Sequence, residues 1–155
     1  YRGIHSILKH DPYSNSDDII GSEYLSKDNN VHHLAAEHSS AYSKFFDLFD
    51  PSSTPKKLKP RVQMMMKFFD DMADCAQSMS TCLKAGGKTA FVVGNKRLGD
   101  HIIPTHEIML DIFEAYGLKE KRLIKHKLKT NNSNSQVPWQ SRIIQDEYIM
   151  ILERS

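Results

Sequence analysis

The chain has 155 residues, 39% of them hydrophobic and 26% charged, enough for one globular domain with a core of its own. A formal charge of +2 is too small to require a polyanionic partner by itself, and no run is apolar enough to cross a membrane or serve as a secretory signal. Because the first residue is Tyr1 rather than Met, the expectation is a processed soluble chain or a piece of something larger.

Charge is unevenly placed. Lys56, Lys57, Lys59 and Arg61 form one basic cluster, and Lys119, Lys121, Arg122, Lys125, Lys127 and Lys129 form another. Cys75 and Cys82 fall on one expected helix, where a rise of about 1.5 Å per residue separates them by roughly 10 Å. They cannot bridge each other there, which points to a reducing, cytoplasmic setting and to helix-packing thiols rather than a nucleophile.

Residues 1–59 read as an irregular, partly helical segment of the same domain. His, Ser, Asp and Asn clusters interrupt short apolar pieces such as Ile19-Ile20, and Ala35 to Phe49 has the apolar stripe of an amphipathic helix in Tyr42, Phe45, Phe46 and Phe49. His32, His33 and His38 lack a cysteine or well-spaced carboxylate to complete a site, so no metal is expected. Asp11-Pro12-Tyr13 admits two readings: a plain turn, or a variant of the Asp-Pro-Pro-aromatic turn with which amino-methyltransferases hold an exocyclic amine.

Pro51 to Lys57 is a loop by composition, and Pro60 is placed to open the next helix. Val62, Met65, Met66, Phe69, Met72, Ala73, Ala76, Met79 and Leu83 then recur at three- and four-residue steps, predicting one long helix with a methionine-rich core face. Asp70, Asp71 and Asp74 are expected on or beside its solvated side.

Leu83 through Asn95 is the pivot of the sequence. A helix ends, Gly86-Gly87 turns the chain, and Ala90 to Val93 reads as a buried strand of a mostly parallel sheet. Gly86-Gly87-Lys88-Thr89 is not a phosphate loop: Cys82 stands where the first glycine belongs, and the motif precedes a strand instead of following one. Ligands of open α/β sheets sit beyond the carboxyl ends of strands, so Gly94, Asn95 and Lys96 are the expected substrate pocket.

Asn95 to Asp100 reads as a polar loop, and Pro104-Thr105-His106-Glu107 as a helix start with Glu107 near the positive end of the dipole. Ile108, Met109, Ile112, Phe113 and Tyr116 form the buried face, and Gly117 stops the helix. Leu118 to Leu128 and Tyr148 to Leu152 are strand-like and most simply pair as an antiparallel hairpin. Between them, Trp139 and Arg142 lie in a long Asn- and Ser-rich loop. That loop reads either as a plain solvent loop or, with its neighbouring lysines, as a grip for a phosphate backbone or displaced base.

Leu83-Lys84-Ala85-Gly86-Gly87-Lys88, Val92-Val93-Gly94-Asn95, Ile108 through Gly117-Leu118, and Asp146 through Glu153 resemble the closing motifs of site-specific DNA methyltransferases of the N4-cytosine/N6-adenine type. The likeness covers about residues 60–154. Tyr1, His5 and Ile20-Gly21-Ser22-Glu23 also resemble the segment that follows the catalytic turn in that family, so the chain is expected to begin just after it.

The resemblance implies an α/β fold: the second half of a class I methyltransferase, Rossmann-like sheet, spanning 60–155 and ending in an antiparallel hairpin. It implies transfer of a methyl group from S-adenosylmethionine to the amine of adenine or cytosine, although the family's Phe-x-Gly-x-Gly cofactor loop is not in the sequence. The implied partner is DNA, with RNA as an alternative, and a restriction-modification setting. An upstream segment, a separate subunit or a second copy would complete the enzyme. On this basis Lys125, Lys127, Lys129, Trp139 and Arg142 are expected to face nucleic acid, and Asp11, Pro12 and Tyr13 are the only catalytic candidates. The rival expectation is a catalytically silent nucleic-acid-binding or structural module with the same half-sheet.

Overall fold

The computed structural model describes residue 20 and residues 34–128 and 146–155. In chain order the elements are α1 (Leu34–His38), α2 (Ser40–Phe46), α3 (Lys59–Cys82), β1 (Lys88–Gly94), β2 (Arg97–Leu98), β3 (His101–Ile102), α4 (Thr105–Ala115), β4 (Leu118–Lys127) and β5 (Asp146–Arg154).

The amphipathic stretch expected from Ala35 to Phe49 is two helices. Ser39 takes an extended conformation (φ −132°) between them. Its Oγ accepts from the Tyr42 backbone N–H at 3.1 Å and donates to Asp111 Oδ2 at 2.7 Å. A serine that caps a new helix competes with continuing the old one, which is why the apolar stripe persists while the backbone breaks. Tyr42, Phe45 and Phe46 are buried as expected, in an aromatic cluster with Phe69 of α3.

The long helix α3 begins next to Pro60 and ends one residue before the expected Leu83. Val62, Met65, Phe69, Met72, Ala73 and Ala76 are buried; Met66, Met79 and Leu83 pack more loosely against the same core. Two expectations fail here. Asp70 is only 3% exposed, because its Oδ1 accepts the Ala35 backbone N–H at 3.1 Å at the open amino end of α1. Cys82 is exposed at the end of α3, whereas Cys75 does pack against the core.

Gly86 turns the chain with φ +74°, a conformation that favours glycine. Gly87 is needed for room: a Cβ there would lie 2.7 Å from the Lys84 carbonyl oxygen. The turn is fastened to the far end of the chain, since Gly86 N–H donates to Arg154 O and Arg154 N–H donates to Gly87 O, each at 2.9 Å. The Arg154 side chain also donates to the Leu83 carbonyl.

The main sheet has the order β1-β5-β4. β5 runs antiparallel to both neighbours, with Val93 opposite Tyr148 and Tyr148 opposite Lys125. The expected mostly parallel sheet is therefore corrected: every pairing among the described residues is antiparallel. β1 and β4, joined across α4, point the same way, but β5 lies between them. β1 is an edge strand of this sheet rather than a buried one, and its Val92 is 62% exposed. The expected terminal hairpin is present and longer than its apolar run, with a bulge between Glu120 and Arg122. The expected polar loop at 95–100 holds β2 and the turn of the small β2–β3 hairpin, which buries Leu98.

α4 is the centre of the packing. It touches α1, α2 and α3 on one side and all three strands of the main sheet on the other. Its Ile108, Ile112 and Phe113 are fully buried, as are Met150 and Leu152 of β5, and the Phe113 ring meets Phe91 at a tilt of 34°, with centroids 4.7 Å apart. The carboxyl end of β1 meets the first turn of α4, where Asn95 Oδ1 accepts the His106 backbone N–H.

Candidate functional site

At that meeting point four elements supply one polar cluster. β1 ends at Gly94, and Asn95 follows. The Lys96 carbonyl accepts the Ile103 N–H at 2.8 Å, which closes the base of the small hairpin and brings the chain back to start α4. His106, in the first turn, donates its backbone N–H to Asn95 Oδ1 at 3.4 Å, and its Nδ1 lies 3.0 Å from the same oxygen. The imidazole is stacked on Tyr148 of β5, with ring centroids 3.7 Å apart and planes 6° from parallel. Lys125 of β4 completes the group: its Nζ is 5.6 Å from the Tyr148 ring centre and 2.9 Å from Asp146 Oδ2.

These contacts set the charges. Burial pushes the His106 pKa below its ordinary value; neighbouring Glu107 opposes that shift and Lys125 adds to it. Lys125 is held above its ordinary value by hydrogen bonding to Asp146 and then to Tyr148. The cluster thus sets a largely buried imidazole, its Nε2 3.8 Å from Glu107 Oε1, beside an exposed cation.

A cavity of about 300 Å³ adjoins this strand end, walled by Met64, Met65 and Phe68 of α3, by Val92, Val93 and Gly94 of β1, and by Lys96 and Thr105. The wall is mostly apolar, with one cation at its edge. Such a surface suits an uncharged flat ring better than an ion. A second cavity, about 490 Å³, lies among α2, α3 and the 47–54 loop, lined by Tyr42, Phe46, Phe49 and Met66. The buried Tyr42 hydroxyl has no hydrogen-bond partner among the described residues, and burial with nearby Asp70 raises its pKa.

Of the residues singled out from the sequence, Gly94, Asn95 and Lys96 lie at this strand end, and Lys125 and Lys127 are exposed on β4. Lys125 is paired with Asp146 and Lys121 with Glu153, whereas Lys119, Arg122 and Lys127 have no carboxylate at ion-pair distance among the described residues. Asp11, Pro12 and Tyr13, and likewise Lys129, Trp139 and Arg142, lie outside the described residues. So do His32 and His33; His38 meets Tyr116 edge-on. No group of metal-ligating side chains occurs among the described residues.

Sequence reasoning overlooked His106 and Tyr148. The first looked like part of a helix start and the second like a strand residue. Neither position carries a local signal for the other, and only the antiparallel insertion of β5 beside β1 brings them together.

No protein-family model and no curated protein matches the chain. Among solved structures, one from Thermus thermophilus, provisionally assigned as a DNA modification methylase, is similar over 60% of this chain at 20% identity, with a TM-score of 0.47. The match spans 39% of that protein's length. No helix among the described residues is long and apolar enough to cross a membrane.

Proposed function

We propose that this chain supplies the substrate-facing part of a DNA amino-methyltransferase, the enzyme class that moves a methyl group from S-adenosylmethionine to the exocyclic amine of adenine or cytosine. The observation that carries the reading is the antiparallel strand β5 lodged between β1 and β4, with α4 crossing behind. The pairing of β5 with β4 is the terminal antiparallel hairpin that the motif resemblance implies, and the insertion of β5 beside β1 brings the Val-Val-Gly-Asn strand end beside the Asp-Glu-Tyr of the closing motif. The apolar cavity and the His106–Tyr148 stack offer flat surfaces for an extruded base. Lys119, Arg122 and Lys127, joined by Lys129, Trp139 and Arg142, would face the phosphate backbone.

S-Adenosylmethionine does not fit the cavity beside β1. The cofactor carries a sulfonium and an ammonium group, and the wall presents a lysine and no carboxylate. No step is therefore assigned to the described residues through that cofactor. The mismatch leaves that cavity to the base; the second reading is a nucleic-acid-binding module without methyl-transfer chemistry.

Calorimetric titration with S-adenosylmethionine, alongside fluorescence anisotropy with a labelled duplex, separates the two. Saturable cofactor binding together with DNA binding supports the enzyme. DNA binding alone favours the silent module, and a folded chain that binds neither contradicts both.

A further inference from the structure

Two exposed apolar side chains lie on one seam of the molecule. Leu48, just beyond the end of α2, is 56% exposed, and Ile102 of β3 is 55% exposed. Their chain neighbours touch: the Phe49 ring meets the His101 ring edge-on, with centroids 5.6 Å apart. Both line a groove of about 560 Å³ that also takes in the more buried Phe45 of α2 and Leu110 of α4. The two walls are tied together, since Ser39 Oγ, at the cap of α2, donates to Asp111 Oδ2 of α4 at 2.7 Å.

The charges of the groove are divided by wall. The α2 wall carries Lys44, exposed and without a carboxylate at ion-pair distance among the described residues. The α4 wall carries Asp111 and Glu107, and the Glu107 side chain is 61% exposed, with His106 as its ion-pair neighbour at 3.8 Å. A partner of one charge sign would suit one wall and be repelled by the other. A second copy of the chain suits both. A two-fold axis running along the groove sets the α2 wall of each copy over the α4 wall of the other, so the face is complementary to itself.

We infer that this groove is the interface of a two-fold dimer of the chain, with Leu48 of each copy against the partner's Ile102 and Lys44 against the partner's Glu107. Removing both exposed apolar side chains from water supplies the attraction, and the doubled ion pair sets the register. An apolar patch rimmed by polar groups is what such a contact requires. The inference stands apart from the nucleic-acid reading, for it uses neither the cavity beside β1 nor the basic residues of β4.

Sedimentation equilibrium of the full chain over a concentration series tests it, with circular dichroism as the check on folding. The wild-type chain should pass from monomer to dimer mass as its concentration rises, and Leu48→Asp should stay monomeric over the same series. Lys44→Glu and Glu107→Lys each set like charges opposite one another and should weaken self-association about tenfold. Mixed in equal amounts, these two variants should recover the wild-type affinity, because each wall again meets its opposite sign. Recovery on mixing separates a two-fold pair from any other contact between copies. A wild-type chain that stays monomeric, species that grow beyond the dimer, or a mixture no better than its parts overturns the inference. So does a folded Leu48→Asp that dimerises like the wild type.

Discussion

The two sides of α4 are built on opposite principles. Toward the core, Ile108, Ile112 and Phe113 join Met150 and Leu152 in one fully buried layer. Toward the end of the sheet, His106, Asn95, Tyr148 and Lys125 form a chain of contacts, each residue held by one or two others. The apolar layer secures the position of the helix. The polar end uses that position.

The largest effect separating the two regions is expected from Ile112→Ala, which leaves a cavity in the closed layer and should cost about 2–5 kcal/mol in chemical denaturation. Met66→Ala, on a half-buried position of the same stripe, should cost distinctly less, and an equal cost for the two would break the distinction between layer and margin. Ser39→Ala removes the cap of α2 and the bond to Asp111 and should cost about 0.5–2 kcal/mol by the same measurement.

A subtler effect sharpens the comparison through pH. His106 has a depressed folded pKa, so below its ordinary value of 6.5 the unfolded chain binds more protons than the folded one. Stability is therefore complete above about pH 6.5 and falls as the pH drops through the lower, folded pKa. His106→Asn should flatten that part of a melting-temperature profile; an unaltered profile would show that the imidazole is not the group responsible. The smallest effect is expected from exposed Lys121→Ala, whose partner Glu153 also faces Lys88, and which should change stability by at most about 1 kcal/mol.

What could be read from the sequence follows the same division. The methionine stripe of α3, the buried face of α4 and the closing hairpin repeat their signal every two to four residues, so local spacing reveals them. The break at Ser39 and the burial of Asp70 depend on Asp111 and on the Ala35 backbone, which no local pattern announces. The β-branched run from Ala90 to Val93 indicated a strand but not its neighbours, and the antiparallel order came from the insertion of β5. At the site, the strand-end rule singled out Gly94, Asn95 and Lys96. The partner that orients Asn95 required the three-dimensional placement of His106.

The central claim, that this end of the sheet meets nucleic acid, is tested most directly by the anisotropy of a labelled DNA duplex across a salt series, with the wild-type chain and Lys127→Ala. The account predicts binding that weakens steadily as salt rises, and a slope reduced by about one when Lys127 is removed. Affinity that is absent, or that is insensitive to both salt and Lys127, would contradict it.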